Sequence, residues 1–266
     1  RAGVKQWLVK SSMKAFFHRQ TISFFACQPL RGHSICYWDA ANSPGVRGVV
    51  ALTLDDAPCR FRGQASSKVQ EVRELLKEFG AKATFMVVGS FVESHEQDLV
   101  QLLMDGNELG NHGWLDKPYD KDTPEAFAEA VDACSAKITA VQAEAGLTQD
   151  VRWFRAPHGR YTREMHAVLQ RKHLRNVMCD TYASCPVVED GAFIGEFLSQ
   201  HAEPGGIVLI HMPEVATRQW CLKGLRILLE GLARRGLKAV TVSELEALAE
   251  SHAHSEIGTP LAESNM

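Results

Sequence analysis

From residue 49 onward the chain alternates short apolar, β-branched runs with segments of helical period, and this rhythm restricts its fold more than any other feature. The stretches VVALTL (49 to 54), KATFMVV (82 to 88), ELGNH (108 to 112), RWFR (152 to 155), RNVMCD (175 to 180), GIVLIH (206 to 211) and LKAVTV (237 to 242) read as seven strands. Helical patterns fill the gaps. Val69, Val72, Leu75, Leu76 and Phe79 recur at i, i+3, i+4 spacing over residues 66 to 79, with Gly80 as a stop. A longer helix is expected to start at Thr123 and Pro124 and end at Gly146, with Phe127, Val131, Cys134, Ile138 and Val141 as its core stripe. The last begins at Ser243. Strands separated by helices predict a mainly parallel sheet, and at 266 residues with 45% hydrophobic content one α/β barrel domain is the expected architecture.

Charge and composition exclude several classes of function. Lys plus Arg number 29 against 32 Asp plus Glu, with no basic block to neutralise a row of phosphates, so no nucleic acid partner is expected. No apolar run approaches the roughly 20 residues of a membrane span, so a soluble protein is expected. The seven cysteines are odd in number and lack a CxxC pair, which argues against a zinc ribbon or a dense disulfide framework. The chain begins RAGVKQWLVK, without a signal-peptide core, and reads either as an expression remnant or as the interior of a longer precursor; its compartment stays open. The expected division is an irregular extension over residues 1 to 45 docked on the barrel, a catalytic domain over 46 to 250, and a flexible tail over 251 to 266.

In a parallel α/β barrel, chemistry gathers where strands end and loops begin. The strand ends here carry Asp55 with Asp56, then His112, Arg155, Asp180 and His211. Each taken alone has a plain structural reading: an Asp as a turn cap, Arg155 as an ion-pair partner, His211 as a satisfied core histidine. As a set on one rim they read as a site.

Five segments carry a family resemblance: TLDDAP (53 to 58), HGWLD (112 to 116), RAPHG (155 to 159), CDTYASCP (179 to 186) and IVLIH (207 to 211). In order and spacing they resemble the polysaccharide deacetylases of carbohydrate esterase family 4, the NodB homology domain. The usual motifs of that family are TFDDGP, HSxxH or HTxxH, RxPxG, an Asp-centred segment and LxH. The resemblance covers residues 48 to 248 and implies a distorted seven-stranded (β/α) barrel.

It also implies a divalent metal, which removes the penalty for placing two carboxylates together. By the match, Asp56 and His112 are ligands, and Asp116 stands where the family has its second His. Zn2+ is the first expectation, with Co2+ or Mn2+ as alternatives that a carboxylate-rich set favours. Three ligands leave room for a water nucleophile, whose proton Asp55 would accept, with Arg155 orienting Asp55. The oxyanion would meet the metal and the main-chain N–H of His158, where the family has Tyr. His211, kept cationic by Asp180, would protonate the leaving amine, and Leu209 with Tyr182 would line the acetyl-methyl pocket. Ala57 replaces the motif Gly, which matters only if that position needs φ > 0.

The implied activity is removal of N-acetyl groups from amino sugars in chitin-like or peptidoglycan-like chains. Two alternatives stand beside it: hydrolysis of small amides or cyclic imides, and non-catalytic binding of carbohydrate or metal. Binding alone needs none of Asp55, Arg155, Asp180 and His211.

Overall fold

The computed structural model describes Gln6, Lys10, residues 33 to 215 and residues 217 to 251. Most of the expected N-terminal extension and nearly all of the expected tail lie outside the described residues. Within them, nine strands form one sheet in which every ladder is parallel. They are β1 (Ser34–Ile35), β2 (Val49–Ala57), β3 (Thr84–Val87), β4 (Glu108–Asn111), β5 (Trp153–Phe154), β6 (Arg175–Val177), β7 (Thr181–Tyr182), β8 (Ile207–His211) and β9 (Lys238–Val240). The helices are α1 (Val69–Glu78), α2 (Glu96–Met104), α3 (Pro124–Glu144), α4 (Arg163–Arg171), α5 (Gly191–His201), α6 (Trp220–Arg234) and α7 (Val242–Ser251).

The sheet order is β1-β6-β5-β4-β3-β2-β8-β7, with β9 paired to the start of β2. Strands β6 and β7 thus stand near opposite ends of the order, although only residues 178 to 180 separate them in the chain. Three residues span little more than 10 Å, so the sheet must curl until its ends nearly meet. The result is an incompletely closed barrel with helices outside. Of the stretch expected as one strand, 175 to 180, only its first half is a strand, β6 beside β5, while residues 178 to 180 cross the seam and a further short strand, β7, follows them beside β8. With β1, this accounts for nine strands where the pattern predicts seven. Two-residue strands are too short to show a period.

The period of two decides what faces the helices and what faces the barrel interior. Val50, Leu52 and Leu54 join Val208 and Ile210 in the cluster packed against α1, α5 and α6. Ala51 joins Met86, Trp153, Val177, Ile207 and Leu209 inside the barrel. Thr53 and Asp55 continue that inward face, as His211 continues the face of Leu209. The α3 stripe is buried as its spacing predicts, and the Thr123 hydroxyl caps Ala126 N at 3.2 Å. Cys36 is in a disulfide, while Cys59, Cys134, Cys179, Cys185 and Cys221 are buried free thiols.

Candidate active site

Adjacent residues of a regular strand point to opposite faces, so two neighbouring aspartates should not reach one spot. Here a bulge between Asp55 and Ala57 breaks the β2–β3 register, and Asp56 takes φ +63°. Asp tolerates this left-handed conformation better than most residues. The turn brings Asp55 Oδ2 to 3.9 Å and Asp56 Oδ1 to 3.5 Å from one atom, His112 Nε2. Ala57 itself is not among the positive-φ residues, so its methyl replaces the motif glycine without strain.

His112 follows β4 and is aimed from behind. Its Nδ1 donates to the Arg155 carbonyl at 2.8 Å, which turns Nε2 toward the aspartates. Gly113 next to it has φ +80°, and a Cβ there would lie 2.7 Å from the Tyr119 ring. The HG pair is thus a conformational requirement of the turn.

Arg155, 1% exposed, staples the open seam of the barrel. Its guanidinium donates to Val177 O at 3.0 Å, Met178 O at 2.8 Å, Thr53 Oγ1 at 2.7 Å and Asp55 Oδ1 at 2.7 Å. Oδ1 is occupied in this way, which leaves Oδ2 facing His112. Asp180 lies on the same seam: it accepts from Ile207 N at 3.0 Å and from the Thr181 hydroxyl at 3.2 Å.

His211 stands directly beside Asp55 in the β2–β8 register. The resemblance assigns Asp180 as its partner, but the atom at its Nδ1 is Cys185 Sγ, 3.0 Å away. Burial pushes the Cys185 thiol well above its ordinary value, so it is S–H and has a proton to donate. A ring accepting at Nδ1 carries its own proton on Nε2. Burial also pushes the His211 pKa down, opposed in part by Asp56 and Asp55. Tyr182, whose ring centre is 6.0 Å from that of His211, pairs in register with Leu209, so the two expected pocket residues stand together beside His211.

The two remaining expected residues meet each other. His158, in left-handed conformation at φ +57°, places Nε2 3.3 Å from Asp116 Oδ1. His95 is held by Phe61 O and Asp98, and Asp120 accepts from Arg160 at one oxygen while its Oδ1 is buried without a hydrogen-bond partner among the described residues.

Three charged residues that the sequence pattern did not single out complete the cluster. Arg218 Nη1 is 2.6 Å from Asp56 Oδ2, and Arg60 Nη2 is 3.4 Å from the same oxygen and 3.8 Å from Asp116 Oδ2. Glu214, fully buried, accepts from Arg60 N at 2.7 Å, Arg60 Nε at 2.9 Å and the Thr217 hydroxyl at 2.6 Å. Arg60 follows the first motif by two residues and could have been found there. Glu214 and Arg218 lie in the segment after β8, where no periodicity marks them.

A curled parallel sheet carrying paired aspartates, an arginine and two histidines at its strand ends defines the carbohydrate-esterase class of barrel. Residues 42 to 177 match the polysaccharide deacetylase family model, and the chain belongs to that family. It is 27% identical over 198 residues to a bifunctional xylanase/deacetylase of Pseudobutyrivibrio xylanivorans, covering 74% of this chain and 30% of that one. It is 29% identical over 182 residues to a chitooligosaccharide deacetylase of Azorhizobium caulinodans, covering 66% of this chain and 80% of that one. The structure of the peptidoglycan deacetylase PdaC from Bacillus subtilis superposes with a TM-score of 0.68 at 22% identity, covering 80% of this chain and 96% of that one.

The family is generally metal-dependent, and the expected donors fit a metal ion only in part. Asp56 Oδ1 and His112 Nε2 do face each other. The third donor fails: Asp116 is engaged by His158 and Arg60, and Asp56 Oδ2 by two guanidinium groups. Among the described residues no three His, Cys, Asp or Glu side chains gather as a metal-holding group. The expected set Asp56, His112 and Asp116 is therefore not assembled as a three-donor site in this arrangement.

Proposed function

We propose that this chain is an acetyl hydrolase that removes N-acetyl groups from amino sugars of a polysaccharide or oligosaccharide. The observation that carries the reading is Asp55: buried, fixed at one oxygen by Arg155, with the other oxygen turned into the site beside His112 and next to His211. A carboxylate held at one oxygen is oriented for proton transfer at the other. Asp55 accepts the proton of the attacking water, and the main-chain N–H of His158 receives the oxyanion. His211 delivers a proton from Nε2 to the departing amine, and Leu209 with Tyr182 receives the acetyl methyl. Names of relatives as deacetylases of chitooligosaccharide and peptidoglycan support the substrate class.

Acetate release from N-acetylglucosamine oligomers, chitin and peptidoglycan tests the reading, each with added Zn2+, Co2+ or Mn2+ and with chelator. Release from at least one of them, lost in an Asp55 variant, is the expected result. Tight binding of oligomers without any release identifies a carbohydrate binder instead.

The pH profile gives a second check. The acid form of His211 is needed, and its pKa lies below the ordinary histidine value of about 6.5. Turnover should therefore fall as pH rises through a value on the acidic side of 6.5. Cys185→Ala removes the thiol that competes for Nδ1, so this limb should move to higher pH while KM stays near that of the wild type. An unmoved limb would remove Cys185 from the role of orienting His211.

A further inference from the structure

The cluster around Asp56 has a charge balance that the family pattern does not anticipate. Four carboxylates (Asp55, Asp56, Asp116 and Glu214) meet three guanidinium groups (Arg60, Arg155 and Arg218) through contacts of 2.6 to 3.8 Å. Arg60 bridges the two carboxylates that the motif match assigns to a metal ion. Arg218 reaches Asp56 from the other side of the chain, 162 residues away in sequence.

These contacts are built into the fold. Arg218 is 5% exposed and its backbone sits at φ +54°, a conformation that costs free energy for a non-glycine residue. Asp56 is strained in the same sense. Arg60 is fixed twice, through its main-chain N–H and its Nε, by the buried Glu214 carboxylate. A buried Glu214 is costly unless its charge is matched, and Arg60 matches it. Arg218 Nη2 has no hydrogen-bond acceptor and keeps its positive character toward the cluster, with Glu214 Oε2 at 3.6 Å.

We propose that Arg60 and Arg218 supply at Asp56 and Asp116 the positive charge that the family pattern gives to a divalent ion, so the chain carries its cation covalently and retains no stoichiometric metal. A divalent ion bound at Asp56 Oδ1 would stand across one carboxylate from two guanidinium groups, and this like-charge contact opposes binding at low local dielectric. The substitution of Asp at position 116 fits the same scheme. A guanidinium is drawn to the added carboxylate, whereas it would be repelled by an imidazole bound to a metal. The inference concerns the site assigned above as the reaction centre, but its test does not use turnover.

Purified full-length protein is dialysed against Co2+ or Zn2+, then assayed by elemental analysis, calorimetric titration and the visible spectrum of Co2+. The wild type is expected to hold well under one ion per chain. Arg60→Gln/Arg218→Gln frees Asp56 Oδ2 and Asp116 Oδ2 of guanidinium contacts, and its Co2+ affinity should rise on the order of 10-fold or more, the scale by which neighbours of metal ligands alter affinity. Adding Asp116→His to that variant should raise it further. If the Arg218 change prevents folding, shown by circular dichroism, Arg60→Gln alone carries the same test, because Arg218 then still stands beside the buried Glu214 carboxylate at 3.6 Å. One ion per wild-type chain, lost in Asp56→Asn, overturns the proposal, as does an unchanged affinity in the folded arginine variants. Absence of acetate release in all preparations would instead count against the hydrolase reading, and leaves the metal measurement to decide this one.

Discussion

Asp55→Asn is expected to fold with a lowered melting temperature, because the buried Arg155 loses its counter-ion, and to lose about 10²- to 10⁴-fold in turnover, the contribution of a positioned general base. The amide is nearly isosteric, and its oxygen can still accept from Arg155 Nη1, so the seam hydrogen bonds persist. What disappears is the basic oxygen facing His112 and His211. Because the loss concerns proton transfer, kcat should fall while KM for an N-acetyl oligosaccharide changes little. Acetate release at wild-type rates by the folded variant would show that another group takes the proton.

Arg155→Leu has the largest expected effect on stability. It deletes donors to two main-chain carbonyls and to Thr53, and it leaves the Asp55 carboxylate buried without its partner. Breaking a buried ion pair from one side costs about 3–5 kcal/mol. For a domain of this size that corresponds to a fall in melting temperature on the order of 10 °C. The source of the loss can be separated by a double-mutant cycle. Asp55→Asn introduced into Arg155→Leu should recover part of the stability, because the unpaired charge is then gone. No recovery would place the whole cost on the Val177 and Met178 carbonyls at the seam. Both outcomes are read from thermal or denaturant unfolding, without any assay of activity.

Local pattern made much of this fold legible. Alternation in β2 and β8 is a property of the strand itself, so the inward course of Thr53, Asp55, Leu209 and His211 follows from period two once one face is known to be apolar. The α3 stripe and its Thr123 cap are equally local. The strand-end residues of the motifs were legible because parallel barrels collect them on one rim, and Asp55, Asp56, His112, Arg155 and His211 do meet there. Segments of two residues, such as β1 and β7, carry no period and could not be read this way.

The chain's own sequence thus determined which side chains line the barrel mouth, because strand and helix periods act over a few residues. Tertiary structure alone decided how they are paired. The bulge that turns Asp56 toward His112 depends on β3 lying beside β2. Cys185 reaches His211, and Arg218 and Glu214 reach Asp56 and Arg60, across separations of 26, 162 and 154 residues. Contacts that distant are set by strand order and by the path of the segment after β8, which brings opposite charges together where burial makes each unpaired one costly.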